Sequence, residues 1–351
     1  MAAYTTIDDP SAFFQCTLYA GNNGTQTITH GGNSDLQANF IWGKARNDTA
    51  HSFIIDSIRG VAQRLRSSGD EKQATVSTGI TAIGSDSFAV GNDGDFNDTG
   101  INYVTWNWKA GTALDNSAGT NGGSIATTGS INTTSGFGIV KYEGSGANAT
   151  IYHGLTKIPR MIITKNIDQA FHWSVYTFNS NTKILRLNGT NAEATETAFQ
   201  STHPTATVQS LGDHNQNNGA TDGSADTHIS YMFCDVPGYQ KINSYIGNGN
   251  ADGTFVYTGF KPAFVMIKAS AAVKNWEMFD NKRDGFNQSN DTIYANADTA
   301  EGAAGRCNLL SNGFKLTTAS THLNTDGGVF VYMAFAESPF VNSKGVPTNA
   351  R

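Results

Sequence analysis

The sequence predicts an all-β protein, because its apolar residues occur in short runs that clusters of Gly, Asn, Asp and Ser separate. The runs are rich in β-branched and aromatic residues, as in Phe53–Ile55, Thr254–Tyr257 and Val329–Phe335. Such runs between turn-forming clusters are typical of strands. Helical periodicity is nearly absent, and the best helical candidate, Ser57–Ser67, contains a glycine and spans a few turns at most.

The composition excludes several function classes. The chain has 351 residues, of which 15% are charged and 38 are glycine. A typical soluble domain has about 25% charged residues, so we expect a surface of Asn, Thr and Ser rather than Lys and Glu. A net charge of −6 argues against nucleic-acid binding, which needs a basic face. No secretory signal, membrane-spanning run or cysteine pair is visible, so we expect no membrane insertion and no disulfide scaffold.

The same succession of strand patterns occurs three times along the chain. Each copy opens with an aromatic residue, a Gly/Asn turn and an alternating Thr/Ile/Val strand. A second strand then ends in lysine, a third strand follows, and an aromatic-rich strand closes the copy. The openings are Tyr19, Tyr142 and Tyr245, the lysines are Lys44, Lys165 and Lys268, and the aligned closing aromatics are Trp108, Phe233 and Phe335.

These copies predict three tandem modules of the β-sandwich or jelly-roll type, since two layers bury one face of each strand. The modules are expected at residues 15–110, 136–240 and 241–340. Three further segments have no counterpart in the copies: an N-terminal attachment segment at 1–14, an extended or flexible Gly/Thr/Ser linker at 111–135, and a C-terminal tail at 341–351.

Several stretches are more distinctive than the strand pattern. They are AYTTIDDPSAFFQ near the start, FIIDSIRG in the first module, and GFKPAFVMIK, LLSNGFKL and VYMAFAESPF in the third. Together they resemble virion structural proteins of marine tailed bacteriophages, which are often described as tail-fibre-like. The resemblance implies a virion component that is synthesised in the cytoplasm of a bacterial host and binds other virion proteins. For a fibre, it also implies a homotrimer.

We therefore expect a non-enzymatic tail fibre or adhesin that attaches to glycans of the host surface. Rigid β modules with polar, weakly charged surfaces suit many weak contacts, whose avidity exceeds each single affinity. A capsid decoration or tail-associated scaffold protein is the alternative. A polysaccharide-degrading tailspike ranks third.

Catalytic residues are not indicated. Ser145 lies in EGSGA, which lacks the spacing and context of a nucleophile elbow. Asp56 and Asp280 occupy equivalent positions of the first and third modules, but Thr177 takes that position in the second. Glycoside cleavage needs two carboxylates about 5–10 Å apart, and a repeated Asp at a strand end is more typical of a turn or cap.

Calcium is the ion that the sequence favours most, although we expect no cofactor. The loop 92–98 offers Asp93, Asp95, Asn97 and Asp98 as oxygen ligands, with the first spacings of a Ca²⁺ loop. It lacks the Gly at position six and the Glu at position twelve. An Asx-rich turn before the closing strand is the interpretation that we favour. The histidines lack metal-ligand spacing and are expected to be structural or solvated.

Aromatic residues supply the candidate glycan contacts. Trp106 and Trp108 alternate on one strand and therefore share a face, with Tyr103 nearby. Core packing is the default interpretation. A sugar-stacking face is the alternative that the sequence leaves open.

Overall fold

The protein is described by a computed structural model that covers residues 5–221, 223–284, 287 and 289–339. Strands account for 47% of the chain and helices for 3%, so the all-β prediction is confirmed. Every pairing between named strands of the described part is antiparallel. Ser57–Ser67, the best helical candidate, forms turns and a short strand instead.

The first set of strands, here called repeat 1, follows a 3₁₀ helix at Pro10–Ala12. Its main sheet has the order β1-β9-β3-β4, and β2-β8-β7 form a second layer. The strands are β1 Phe14–Ala20, β2 Gln26–Thr29, β3 Phe40–Ala45, β4 Phe53–Asp56, β5 Gln63–Arg64, β6 Ala74–Thr75, β7 Ile80–Ile83, β8 Ser87–Val90 and β9 Asn102–Trp108, with helix α1 at Gly94–Asn97.

Repeat 2 extends its main sheet to eight strands, in the order β10-β11-β12-β21-β14-β15-β16-β17, and β13-β18 lie in the second layer. The strands are β10 Thr112–Asn116, β11 Thr127–Asn132, β12 Phe137–Glu143, β13 Ala149–Tyr152, β14 Pro159–Asn166, β15 Ser174–Thr177, β16 Ser180–Arg186, β17 Ala194–Thr195, β18 Val208–Leu211, β19 Ala220–Thr221, β20 Ser224–Ala225 and β21 Thr227–Cys234, with helix α2 at Asn215–Asn218.

Repeat 3 is one continuous sheet in the order β22-β29-β24-β25-β26-β27-β28-β23. The sheet folds over, so that Val256 and Phe314 of its far end share a core with Val265 of β24. The strands are β22 Gln240–Ile246, β23 Phe255–Tyr257, β24 Phe260–Ala269, β25 Glu277–Asp280, β26 Ser289–Tyr294, β27 Gly302–Leu310, β28 Gly313–Leu316 and β29 Val329–Pro339.

One strand order recurs in the three main sheets. The orders β1-β9-β3-β4, β12-β21-β14-β15 and β22-β29-β24-β25 each place the opening strand beside the closing strand. The register is equivalent too, because the aligned closing aromatics pair with equivalent residues of the second strand. The pairs are Phe40 with Trp108, Met161 with Phe233, and Phe264 with Phe335. The exact module boundaries stay a prediction.

Residues 111–135, which we expected to be an extended or flexible linker, are partly extended but belong to the sheet of repeat 2. The hairpin β10–β11 pairs along β12 through the whole length of β11. The sequence did not indicate this pairing, because the low-complexity composition hid an alternating pattern. Leu114 and Ile131 point inward from this hairpin and are buried in the core of repeat 2.

A core shared by all three repeats lies on the other face of the main sheets. It contains Trp106 and Trp108 of repeat 1, Phe233 of repeat 2 and Phe335 of repeat 3. The ring centroids of Trp108 lie 6.2 Å from Phe233 and 5.3 Å from Phe335. Each repeat also has its own core between its two layers. The main strands are therefore buried on both faces, which explains their continuous apolar runs.

The N-terminal segment packs against this assembly from residue 5 onward. Ile7 is buried in the shared core, and Thr5 lies against Gly238. The role of residues 1–14 in attachment stays a prediction, since a deletion would also remove part of the core. The predicted C-terminal tail, 341–351, lies outside the described residues.

Candidate functional site

A buried lysine stands at each joint between two repeats. The three lysines end the sequence pattern of the second strand in each copy, and each donates hydrogen bonds from Nζ to main-chain oxygens of a neighbouring repeat. The bonds run from Lys44 to Ala297 at 2.8 Å, from Lys165 to Asp70 at 3.1 Å, and from Lys268 to Thr190 at 3.2 Å. Repeat 1 thus contacts repeat 3, repeat 2 contacts repeat 1, and repeat 3 contacts repeat 2, so that the joints close a ring.

These lysines are held by carbonyl oxygens rather than by carboxylates. Lys165 also bonds to the main-chain oxygens of Asn166 and Gln169, so its three protons are matched by three acceptors. Burial lowers the pKa of Lys44, Lys165 and Lys268 to about 8. In the part of the chain that the structure describes, none of the three forms an ion pair. Their contacts make them structural clamps.

Tryptophan side chains cross the same joints in the same direction. Trp173 of repeat 2 donates from Nε1 to Arg66 O at 2.9 Å, and Trp276 of repeat 3 donates to Arg186 O at 2.9 Å. Trp42 of repeat 1 reaches repeat 3 through the hydroxyl of Ser67 (3.1 Å), which donates to the main chain of Ala295 at 2.7 Å. The ring therefore has two equivalent contacts at every joint.

The repeated aspartates are buried at these joints, where each forms an ion pair with an arginine. Asp56 accepts from the Arg59 side chain at 2.6 Å and from the Tyr231 hydroxyl of repeat 2 at 2.7 Å. Asp280 accepts from the Arg283 side chain at 2.6 Å and from Nε1 of Trp106 in repeat 1 at 3.2 Å. Burial alone would raise the pKa of Asp280, but the ion pair and hydrogen bonds with Arg283 lower it overall.

Repeat 2 lacks the buried aspartate, and repeat 3 lacks the hydrogen-bond donor that would face it. Thr177 stands where Asp56 and Asp280 stand, as the strand registers show. Met333 stands at the position of the donors Tyr231 and Trp106. Where the acid is absent, the donor is absent too, which is consistent with a structural role of the pair.

The carboxylates of the loop around α1 cap the helix and form ion pairs. The Asp93 carboxylate accepts from Asp95 N at 3.0 Å and caps the helix. The Asp95 carboxylate pairs with Arg64 at 2.5 Å and with Arg66 at 2.8 Å. Two guanidinium groups therefore compete with any cation at this carboxylate. The described residues bring together no group of three His, Cys, Asp or Glu side chains that could hold a metal.

The other two candidate ligands of this loop have local partners. Asp98 accepts from Thr99 N at 2.8 Å and is exposed. Asn97 is buried, and its Nδ2 donates to Gly24 O and Gly91 O, both at 2.7 Å. These contacts favour the interpretation of an Asx-rich turn.

A further contact of the Asn97 side chain recurs in each repeat, and the sequence reasoning missed it. Its side-chain oxygen accepts from a main-chain N–H in the turn that follows the opening strand, and the equivalent asparagines do the same. The bonds are Asn22 N to Asn97 at 3.0 Å, Ser145 N to Asn218 at 2.8 Å, and Asn248 N to Asn324 at 2.9 Å. The available signal was an Asn shortly before each closing strand, although the interval is longer in repeat 2 than in the other two repeats.

The candidate glycan contacts are buried. Trp106 and Trp108 lie in the shared core, as their common face predicts, and Tyr103 faces the core of repeat 1. Tyr103 donates from its hydroxyl to Gly94 O at 2.9 Å and stacks on Tyr19 at 4.9 Å. The sugar-stacking interpretation is wrong for these three residues, because a face that packs two sheets together cannot also receive a sugar.

Three histidines are buried and neutral. Burial lowers the pKa of His30, His153 and His228 to about 4. His153 donates from Nε2 to Thr205 O at 3.2 Å, and His228 donates from Nδ1 to Asp226 O at 2.9 Å. These bonds to main-chain oxygens favour the structural interpretation over the solvated one for His153 and His228.

An open cleft of about 700 Å³ lies between the 118–126 loop and β12. Lys141, Glu143, Ser145 and Thr227 contribute polar groups to its lining. The Ser145 hydroxyl donates to Ala147 O at 2.8 Å within its turn. No helix in the described ranges is long and apolar enough to cross a membrane.

One family model matches almost the whole chain. It is that of a domain of unknown function, DUF7483, and it covers residues 9–339. The chain belongs to this family. The DUF7483 match therefore includes the 3₁₀ helix before β1 and the strands of all three repeats, so the ring as a whole corresponds to the family. No curated protein and no solved structure matches the chain.

Proposed function

We propose that the chain is a non-enzymatic structural protein of a tailed-phage particle, located in a tail fibre or adhesin that contacts host-surface glycans. The observation that carries the proposal is the closed ring of three β repeats around one aromatic core. Such a body is rigid, and three of the candidate carboxylates, those of Asp56, Asp280 and Asp95, are engaged in ion pairs with arginine side chains. The resemblance of AYTTIDDPSAFFQ, FIIDSIRG and the third-repeat stretches supplies the particle context.

The ring also limits which surfaces of the chain could form a homotrimer. The three main sheets bury their aromatic faces within a single chain, so no further chain is needed to cover that core. A homotrimer, which the resemblance implies, would have to form through outer surfaces. Glycan contact is then expected at polar loops of the outer layers rather than at Trp106 or Trp108, which are buried.

A tail-associated or capsid-surface protein that binds other virion proteins is the second candidate. One observation favours it. An edge of repeat 3 carries the exposed apolar side chains of Ile246, Phe255 and Tyr257. An apolar edge suits a protein partner better than a sugar.

Imaging of intact particles with the chain labelled tests the proposal. A position on the tail in few to tens of copies is expected, and soluble protein should then block adsorption to host cells. Hundreds of copies on the capsid would replace the adhesin by the second candidate. Absence from the particle, or release of reducing ends from host polysaccharide by the purified chain, would contradict the proposal.

A further inference from the structure

The strand that follows the opening strand of each repeat lies at the edge of the outer layer. Strands β2, β13 and β23 are equivalent because their central residues pair with equivalent strands on one side. The pairs are Ile28 with Phe88, Ile151 with Gln209, and Val256 with Phe314. The other side of each strand is a free edge unless a further segment covers it.

In repeat 2 the chain covers this edge with its own segment 122–126. Ile125 bridges to Ile151 in parallel orientation, and Ser124 N donates to Thr150 O at 2.8 Å. In return, Thr150 N donates to the Ser124 hydroxyl at 2.8 Å. Ile125 and Tyr152 become half-buried and pack against the core of repeat 2. A Cβ on Gly123 would lie 2.9 Å from Tyr152 N, so this position needs glycine.

In repeat 3 no described residue covers the equivalent edge. Phe255 is 45% exposed and Tyr257 is 57% exposed, whereas Val256 between them points into the core. The bonds from Leu316 N to Thr254 O and from Thr258 N to Asn312 O join β23 and its flanks to the neighbouring chain. Because antiparallel pairing alternates, the main-chain groups of Phe255 and Tyr257 point away from β28.

The residue types make this edge different from that of repeat 1. There the equivalent residues, Thr27 and Thr29, are also exposed but polar. Tyr257, by contrast, is the same residue type as Tyr152 of repeat 2, where the covering segment partly buries the ring. Ile246, 63% exposed, lies alongside, since Thr254 donates from its hydroxyl to Ile246 O at 2.9 Å.

The outer side of β22, at the other end of the repeat 3 sheet, is blocked by side chains. An added strand could therefore pair with β23 but not with β22. Asp235 accepts from Ile242 N at 2.7 Å, and Arg160 donates from Nε to Ile242 O at 2.9 Å. Charged side chains thus block the outer side of β22, a common protection of edge strands. Between these groups and Tyr257 lies an open groove of about 320 Å³.

We propose that the β23 edge of repeat 3 binds an extended segment of a partner protein, which lies parallel to the strand as the 122–126 segment lies along β13. The partner segment has a small residue against Tyr257, no charge, and one β-branched apolar side chain beside Val256. Main-chain hydrogen bonds to Phe255 and Tyr257 supply affinity, and the aromatic pair supplies selectivity. The inference rests on the three equivalent edges and not on the location of the chain in a particle.

Hydrogen exchange of the full chain with an added peptide tests this. The peptide carries the sequence NGGSIATT of residues 121–128. At a concentration about ten times its Kd, exchange of the Phe255 and Tyr257 amides is expected to slow about tenfold. The amides of Thr27 and Thr29 should not change. The variant that combines Phe255→Thr and Tyr257→Thr copies the repeat 1 edge and should lose the protection.

Three results would overturn the proposal. One is no protection at millimolar peptide. Another is equal protection by a control peptide in which Asp replaces the residue corresponding to Ile125. The last is protection of β23 that grows with protein concentration in the absence of peptide, which would assign the edge to a second copy. None of them affects the particle assignment, which imaging tests separately.

Discussion

Lys165 of repeat 2 donates a hydrogen bond from its Nζ to the main-chain oxygen of Asp70 in repeat 1, at 3.1 Å. The same contact at the other two joints makes the three repeats a closed ring. A ring of this kind has no free end, so each repeat is held by two joints. The predictions below concern the groups that close the ring and the surfaces that it buries.

Replacement of Lys165 by Met should destabilise the protein by about 1–3 kcal/mol, since it removes the hydrogen bonds from Nζ to the main-chain oxygens of Asp70, Asn166 and Gln169, of which the bond to Asn166 is fully buried. The variant Lys183→Met is the matched control, because Lys183 is exposed and forms a surface ion pair with Glu193. That control should change the free energy of unfolding by less than about 1 kcal/mol. Urea titration followed by tryptophan fluorescence measures both, and equal effects would contradict a clamp role.

The same lysine gives a pH signature. Its pKa is about 8 in the folded protein, below the ordinary value of 10.5, so the unfolded chain binds more protons between these values. Stability of the wild type should therefore rise from pH 8 towards pH 10, by up to about 1.4 kcal/mol per unit relative to Lys165→Met. A wild-type and variant difference that is constant over this range would show that the ammonium is not desolvated.

Some of this arrangement could be predicted from the sequence, and some could not. Strand identity and the alignment of the three copies followed from local patterns, because the Gly/Asn turn and terminal lysine recur in each copy. The partners of Trp106 and Trp108 could not be predicted in this way. A strand that is apolar on both faces does not indicate which segment covers each face. The lysines were visible as a repeat marker, but their acceptors belong to distant segments such as Asp70. A hydrogen bond to a main-chain oxygen of another repeat depends on how the repeats are arranged, and it imposes no pattern on the local sequence.

Acid should destabilise the protein through its buried histidines. His30, His153 and His228 have pKa values of about 4 in the folded protein, below the ordinary 6.5. The unfolded chain therefore binds more protons, and stability falls as the pH drops from 6.5 to 4, by about 3 kcal/mol for each histidine. Asp86 lies near His30 and Asp226 near His228, and these carboxylates oppose the effect of burial only in part.

The variant His153→Gln tests that origin, because Gln can still donate to Thr205 O and accept from Leu155 N. Its stability should decline less steeply than that of the wild type between pH 6.5 and 4. His51→Gln serves as the control, since His51 is only half-buried and bonds to Ser68 near the surface. Identical pH profiles for wild type and His153→Gln would exclude His153 as a source of acid sensitivity.

The hydrogen bond between Tyr231 and Asp56 should be worth about 1–2 kcal/mol, because it links a buried hydroxyl to a buried carboxylate across a joint. Tyr231→Phe removes this donor and keeps the ring, and thermal unfolding should show a lower midpoint. Tyr257→Phe is the control, since its side chain is 57% exposed. A midpoint for Tyr231→Phe no lower than that of the control would mean that Arg59 alone satisfies Asp56.

A single repeat should not fold when it is separated from the other two. A fragment of residues 111–240 keeps the hairpin and the core of repeat 2, but exposes Phe137, Tyr231 and Phe233, which the full chain buries in the shared core. A contiguous aromatic face of this kind on a monomer favours aggregation. Near-ultraviolet circular dichroism should show no fixed aromatic environment in the fragment, whereas the full chain should unfold in one cooperative transition. A soluble fragment with its own sharp transition would instead show that repeat 2 is an independent module, because its inner core between β12 and β18 would then suffice for stability.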